Sequence, residues 1–576
     1  MSSADFEKVL VKDDRLLCTD KIKYAVVKGG QNITPSQFKA TSASTSSIVF
    51  NIQVPSEQTI ISREVLLRST VQLAITTTAV PSSSSQYFTY GLDLALAPFP
   101  LHQLFTTLQA TINNNTVSIN MRDVLPMIVR QHDRRQLMRY NGYTPVAFDT
   151  VSNYADVLGT NSNPLGAWSN NADNDLVPRG SWVLDSISSL PNAVAPVPAP
   201  NGTSRTIYFN FTVTEPLLVS PFIYADPKSN NQGFYGVQSM TVQCNIGDAS
   251  RVLRFAQGSN IASVAVNQVI DPTLLFNFLT PHPSDLLPAR NVVPYYELPR
   301  YISSGFASIP SGGQVSLQTQ TIQLNQIPDK LYLWVRKALG TQSGSDPDFF
   351  LTISGLSINF NNNSGLLSSA TQQDLYKYAV ENGSNQSWYE FSGRANVIDP
   401  TSTGAGRAIA TSGSLIVLEF GKDIQLVEDF YSAGSLGNFN IQINNIQVTN
   451  QTNQSITPEI VLVTMNSGVF VNERGTSSVY TGILTKADVL DASSQEPYTR
   501  SDVARMVGGG FLDNLKSVAG KLLPKLPSVA KAVLGQVDNK YAKGASDVLG
   551  AMGFGKSGAG MAGAGVSGGR LMGRMA

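Results

Sequence analysis

Leu108-Gln-Ala-Thr-Ile-Asn-Asn-Asn-Thr116 returns later in the chain as Leu356-Ser-Ile-Asn-Phe-Asn-Asn-Asn-Ser364. Each stretch alternates apolar and polar residues and then meets three asparagines. Alternation with period two lines one face of a strand with apolar side chains. Asparagine tolerates the left-handed backbone that a tight turn needs. Both stretches therefore predict a strand running into a polar turn. A segment with helix-like periodicity follows each, Arg122–Tyr140 and Ala370–Glu381.

A second match keeps the same order. Leu218-Val219-x-x-Phe222 corresponds to Leu426-Val427-x-x-Phe430. The preceding strands agree in kind, Ile207-Tyr-Phe against Leu415-Ile-Val. The following ones do too: Val237 to Asn245 resembles Ile441 to Asn450, with one residue inserted. Asparagine is common here, so a single match could arise by chance; ordered matches imply two copies of one β-fold. The copies are expected at 46–270 and 271–490, the first with a long insertion at about 141–205. Residues 1–45 read as an N-terminal arm, because strand signals begin only at Ser46 with SIVFNIQV and EVLLRSTVQLAI. Short alternating runs separated by long Asn/Ser/Pro/Gly loops indicate an all-β sandwich class.

Composition agrees. The 576 residues suit two or three domains. Only 14% are charged, while 42% are hydrophobic. That is not the profile of a disordered chain. Uncharged polar residues in place of charges suit strands whose outer faces are covered by neighbours. Formal net charge is zero, without the basic surplus of a protein that coats nucleic acid. Sequence-specific nucleic-acid binding is not expected. Cys18 and Cys244 are too few for a disulfide framework, which favours a reducing site of synthesis. The N-terminus shows no signal-peptide pattern, so synthesis in a host cell without secretion is expected. Nine sequons are read as a by-product of Asn, Ser and Thr richness.

Catalytic and metal chemistry find no support. The histidines His102, His132 and His282 are not spaced as metal ligands. His132-Asp133 lies beside Arg134, Arg135 and Arg139. This could be a basic patch, but a solvated or subunit-contact helix face explains it better. There is no P-loop, nucleophile elbow or dinucleotide fingerprint. No catalytic, cofactor-binding or metal residue is assigned, and the chain is not read as an enzyme. Leu176-Val-Pro-Arg-Gly-Ser181 matches a thrombin site, which is read as coincidence.

The last segment differs in kind. Residues 491–509 read as a linker. From 511 to 576, nine Lys/Arg face three Asp, leaving the tail at +6 and the rest at −6. Phe511, Leu515, Val518 and Leu522 form an apolar stripe flanked by lysines, an amphipathic helix ended by Pro524. Such a helix could touch a membrane or help assembly; assembly is the first reading. The end, 553–576, is rich in Gly, Ala and Met.

Two tandem β-folds of this size, a helix-bearing connection in each and a detachable basic Gly-rich tail resemble a double jelly-roll major capsid protein. That lineage is the one of virophages, polinton-like viruses, adintoviruses and adenoviruses. The resemblance covers about 46–490 by architecture and the tail by motif. It implies two tandem eight-stranded jelly rolls, short helices in the connections and a basic, partly helical or disordered tail. It also implies a shell protein of the virion, assembled as homotrimers into pseudo-hexameric capsomers of an icosahedral capsid. The implied partners are neighbouring capsomers, a penton (vertex) protein, minor cement proteins and a viral maturation cysteine protease. No cofactor is implied.

The tail resembles substrates of that protease. Met506, Gly508 and Gly509 fit its recognition pattern, with the cut between Gly509 and Gly510. Met561, Gly563, Ala564 and Gly565 fit the alternative form, with the cut after Ala564. Gly-rich tails produce such matches freely, so these remain candidates. Two other readings of the chain stay open at this point. One is a small RNA-virus capsid protein with a shell domain, a projection domain and a lytic C-terminal peptide. The other is a β-sandwich glycan-binding adhesin; a β-sandwich hydrolase comes after both.

Overall fold

A computed structural model describes residues 32–78, 94–132, 185–188, 204, 206–223, 233–255, 261–281, 287–346, 348–398, 406–426, 432–473 and 475–482. The first half contains β1 (Asn32–Lys39), β2 (Ser42–Ala43), β3 (Ser47–Gln53), β4 (Ile60–Ile61) and β5 (Leu66–Thr77). Then come β6 (Leu94–Leu96), α1 (Pro100–Leu104), β7 (Phe105–Ile112), β8 (Asn115–Ile119) and α2 (Met121–Arg130). It closes with β9 (Ser186–Ser188), β10 (Thr206–Pro216), β11 (Ser239–Ile246), β12 (Leu253–Phe255) and β13 (Ile261–Thr280).

The second half starts with β14 (Arg290–Glu297), β15 (Arg300–Ser303), β16 (Gln314–Leu317), β17 (Ile322–Gln326) and β18 (Lys330–Lys337). It continues with β19 (Thr352–Phe360), β20 (Asn363–Leu366), α3 (Gln372–Glu381) and α4 (Trp388–Phe391). The hairpin β21 (Arg394–Ile398) and β22 (Gly406–Ala410) follows. Last come β23 (Ile416–Glu419), β24 (Leu436–Thr449), β25 (Pro458–Glu473) and β26 (Thr476–Thr481).

Strand order defines the fold. In the first half one sheet runs β1-β13-β5-β10-β9 and its partner β2-β3-β11-β7-β8. In the second, β14-β25-β18-β23 is matched by β16-β24-β19-β20. Eight main strands in each half, taken in chain order, give a first sheet 1-8-3-6 and a second 2-7-4-5. Every ladder is antiparallel. Two antiparallel sheets with this interleaving are a jelly roll, and the chain holds two in tandem.

Residue alternation builds each roll. Along β10, Ile207, Phe209, Phe211 and Val213 are buried while Tyr208, Asn210 and Thr212 are not. Along β3, Ile48, Phe50 and Ile52 point into the same core. The repeated Asn-rich stretches are the hairpins β7–β8 and β19–β20. Asn113 and Asn361 take the left-handed conformation there, with φ of 51° and 50°. Each docks on the start of the seventh strand of its roll. The Asn113 N–H donates to the Ser239 carbonyl, and the Asn361 N–H to that of Asn440. The Leu415–Val417 and Ile207–Phe209 pair also falls on equivalent strands, β23 and β10. Val427 and Phe430 of the second match lie outside the described residues.

Two expected boundaries differ from the structure. Residues 32–39 of the expected arm form β1, paired with β13 from Asn32↔Thr280 to Lys39↔Thr273. Pro35 hides this strand in the sequence, yet proline is tolerated on an edge strand, where β1 lies. The expected break at 270/271 falls inside β13. Asp271 has φ 45° there, within a ladder irregularity, and pairing resumes at Thr273↔Arg68. Of the helix expected at Arg122–Tyr140, the described part is α2. The insertion at 141–205 is described only at 185–188 and 204, and the linker 491–509 and tail 510–576 lie outside the described residues.

Candidate functional site: the joint between the two rolls

For a protein built of two similar rolls, the functional question is what fixes one against the other. Helix α2 follows β8 and packs on β7 of its own roll. Its sequence, Met121-Arg-Asp-Val-Leu-Pro-Met-Ile-Val-Arg130, carries three charges, yet eight of its ten residues are buried, Asp123 and Arg130 among them. A helix buried on every side needs a second wall. Roll two supplies it.

Asp123 carries the first contact. Arg336, on β18 of roll two, donates Nη2–H to Asp123 Oδ1 at 2.6 Å. Arg300 Nε lies 2.8 Å from Asp123 Oδ2. Arg336 Nε–H also donates to Glu459 Oε1, on β25, at 2.6 Å. Asp123, Arg336 and Glu459 are all buried. Two carboxylates and two guanidiniums thus neutralise one another across the joint.

Asp348 centres a second cluster. Arg251 and Arg254 of roll one each reach it from one side: Arg251 Nη2 to Oδ1 and Arg254 Nη2 to Oδ2, both at 2.7 Å. Arg251 Nη1–H also donates to the carbonyls of Ser343 and Asp346, and Lys337 pairs with Asp346 at 2.9 Å. At the end of α2, Arg130 donates to the Asp348 carbonyl and stacks 3.9 Å above the Phe350 ring. Burial alone would raise the Asp348 carboxyl. The charges of Arg254 and Arg251, with the Arg254 hydrogen bond, outweigh it and hold the group well below the usual carboxylate range. Burial lowers Arg251 to about 10, and Arg254 adds to this, while Asp348 and Asp346 oppose. Burial likewise brings Arg130 to about 10 against the pull of Asp348 and Glu390. All stay charged at neutral pH.

The far end of the joint is neutral. Phe234 and Phe470 meet with ring centroids 5.7 Å apart. Asn113 Nδ2–H donates to Ser477 Oγ at 2.9 Å, and the Ser477 N–H donates to Asn114 Oδ1 at 2.8 Å. Asn291 Oδ1 accepts from the Tyr235 N–H at 3.2 Å. Gly236 passes this crossing at φ +80°, with Asn472 close to where a Cβ would stand. The joint therefore carries charge pairs at one end and amides and rings at the other.

This arrangement suits a coupling between the two rolls. Among the described residues no group of His, Cys, Asp and Glu is placed to hold a metal ion. Nor is any helix there long and apolar enough to cross a membrane. His102 is buried in α1 of roll one, its Nδ1 against the Glu215 carboxylate, which also accepts from the Leu101 and His102 N–H groups at 2.9 Å. His132 Nδ1–H donates to the Ile128 carbonyl at 2.9 Å. The rest of that helix face, Asp133 onward, lies outside the described residues. Cys244 is buried and free, its thiol pushed up by burial. Cys18, His282, Arg134, Arg135, Arg139 and Leu176–Ser181 lie outside the described residues. So do the cleavage candidates Met506, Gly508, Gly509, Gly510, Met561, Gly563, Ala564 and Gly565, and the tail stripe Phe511, Leu515, Val518 and Leu522.

Sequence reasoning missed the joint. A signal was present: Asp123, Arg254 and Arg336 each interrupt an apolar run in a chain poor in charge. A charge in such a place is buried and must be paired.

The tandem jelly rolls, fixed by a buried joint, define a double jelly-roll major capsid protein, a structural component of a virion and not an enzyme. The chain belongs to the Sputnik virophage major capsid protein family. Residues 4–279 match the family model "Sputnik virophage major capsid protein 1st domain", and residues 298–468 match "Major capsid protein V20 C-terminal domain". The "Putative capsid protein V20" of Sputnik virophage is 29% identical, over 96% of this chain and 95% of its own length. A chain of the Sputnik virophage structure solved by cryo-electron microscopy superposes with a TM-score of 0.76 at 27% identity. That match covers 88% of this chain and 99% of the other. The mavirus major capsid protein crystal structure shares the fold, with a TM-score of 0.68 at 17% identity over 87% of this chain and 100% of that one.

Proposed function

We propose that three copies of this chain close into a pseudo-hexameric capsomer, and that such capsomers tile an icosahedral shell. The observation that carries this is the repetition of one strand order in two rolls locked by a buried ionic joint. Three rigid pairs give six similar barrels, so threefold symmetry presents a nearly sixfold tile. Equal rolls also separate this chain from a shell-plus-projection design. Light scattering on the purified protein tests the reading. A mass near three chains, or particles of many chains, supports it; a monomer at every concentration contradicts it.

The finer partners follow from the same reading. Shell closure calls for a penton protein at the vertices and minor cement proteins between capsomers. The lineage extends to polinton-like viruses, adintoviruses and adenoviruses, in keeping with the Met506–Gly510 pattern. Residues 510–576 are a separable tail that assists assembly, contacts membrane through the Phe511–Leu522 stripe as a secondary role, and is removed by a maturation cysteine protease. Intact-mass measurement of the protein from particles checks the cut: chains ending at Gly509 or Ala564 support it, and a full-length mass refutes it.

A further inference from the structure

The joint described above covers one sheet face of roll two, and among the described residues the equivalent face of roll one is more open. On roll two, the outer face of the β25-β18-β23 sheet is buried: Tyr332, Trp334, Val461 and Val463 are all covered. Part of the cover is α2, the helix that follows the fifth strand of roll one, through Asp123 on Arg336 and Arg130 on Phe350, whose ring lies 5.6 Å from Trp334. Roll one has the same sheet face, and on it the pairs Ala74↔Ala265, Thr76↔Ser263 and Ala74↔Tyr208 stand side by side. Ala265 and Ser263 are exposed and the others half-buried, with no charge among them. Roll two in turn has its own helices after the fifth strand, α3 and α4. Helix α3 packs on β23 and on β19, the sixth and fourth strands, while α2 packs on β7, the fourth strand of roll one. Unlike α2, it keeps an open side: Val380 is 42% exposed and Tyr389 of α4 is 63% exposed. Only four large apolar residues stand so exposed among those described, and two of them are here.

We propose that the α3–α4 segment of one copy seats on the outer β10-β5-β13 face of the next copy's roll one. The inference rests on the capsomer reading and names its closing surface. The partner is a second copy because this chain already builds the matching contact inside itself, with α2 as the helix and β18–β25 as the seat. The two free surfaces differ from each other, so the contact is head to tail, and such contacts form a ring when the rotation closes. The chemistry of the two joints differs. Asp123 is the third residue of α2 and reaches across to Arg336 and Arg300. Asp374 is the third residue of α3, but it folds back on Thr371, accepting from its N–H at 2.9 Å and its hydroxyl at 2.7 Å. Around Ala74 the seat offers Ala, Ser, Thr and Tyr; Arg68, farther along the same face of β5, donates to Gln37 of β1 at 3.4 Å. The contact between copies is therefore a flat, mostly uncharged surface, formed after each chain has fixed its own ionic joint.

The test compares three variants of the full chain by light scattering. Wild type is expected as a trimer. Ala265→Arg places a charge on the seat, and Tyr389→Glu removes the ring from the segment. Each is expected to lower the mass about threefold, to a monomer, with unchanged near-ultraviolet circular dichroism. Leu436→Arg, exposed on the opposite sheet of roll two, is expected to remain a trimer. If Ala265→Arg fails to fold, Tyr389→Glu on an open helical segment carries the test alone. Folded trimers of both variants would overturn the proposed surface and leave the capsomer reading standing. A monomeric wild type would overturn the capsomer reading itself.

Discussion

Strands β13 and β25 hold the same place in their rolls, second in the sheet and eighth in chain order, yet their surroundings are opposite. From Pro458 to Thr464, β25 is buried on both faces. From Ala262 to Gln268, β13 leaves Ala262, Ser263, Ala265, Asn267 and Gln268 exposed. The sequences anticipate this. Ile460-Val-Leu-Val463 and Leu331-Tyr-Leu-Trp-Val335 are continuous apolar runs, the pattern of a strand with cover on both sides. Alternation in β5 and β10 is the pattern of a strand with one open face. A repeated fold therefore need not bury the same surface twice within one chain, and what remains open is where the next copy belongs.

Breaking the covered side should produce the largest effect. Asp123→Ala leaves the two guanidiniums of buried Arg336 and half-buried Arg300 with Glu459 as the one remaining carboxylate of the cluster. A loss of about 3–5 kcal/mol is expected in denaturant unfolding. A loss under about 1 kcal/mol would show that the joint is not held by this pair. The same change at Asp374, on the open helix, should barely move the unfolding midpoint.

Acid sharpens the comparison next. Asp348 is depressed in the folded chain by Arg254 and Arg251, against the effect of its burial. As pH falls, the unfolded carboxyl takes up its proton first, so protonation favours unfolding. The stabilisation is complete above the ordinary carboxylate value of about 3.9 and fades as pH drops toward the depressed folded one. Asp348→Asn should flatten the acid limb of a stability–pH curve. An unchanged limb would exclude Asp348 as its source.

The two Asn turns offer a smaller contrast. Asn113 holds the left-handed turn and also bonds Gly236 and Ser477 through Nδ2 and the Gln238 N–H through Oδ1. Asn361 accepts only from the Asn440 N–H among its described side-chain bonds. Asn113→Ala should cost about 1–3 kcal/mol, and Asn361→Ala about 1 kcal/mol. Equal losses would mean that the Nδ2 bonds to Gly236 and Ser477 contribute nothing. Smallest of all, Thr371→Ala removes the cap of α3 and should cost about 1 kcal/mol or less, read from thermal unfolding.

Much of the fold was legible because it rests on local signals. Alternation marked the strands, and the left-handed Asn113 and Asn361 fixed equivalent hairpins in both halves. What failed was local evidence overruled by distant pairing. Pro35 concealed an edge strand, and the break expected at 270/271 falls inside β13, where neighbouring strands carry the ladder onward. The joint was less legible than the rolls. Its charges come from 123, 251, 254, 300, 336, 348 and 459, and only the folded chain brings them together. The unusual feature visible beforehand was a charge inside an apolar run, as at Arg336, and its partner could not be read from spacing.

The most direct measurement is a cryo-electron microscopy reconstruction of the assembled capsomer at side-chain detail. It should show three copies, each with α3 and α4 lying on the Ala74, Ala265 and Tyr208 face of its neighbour, and each with Asp123 still bound to Arg336 within the chain. A capsomer in which that face of roll one meets solvent, or meets any part of the neighbour other than α3 and α4, would contradict the account.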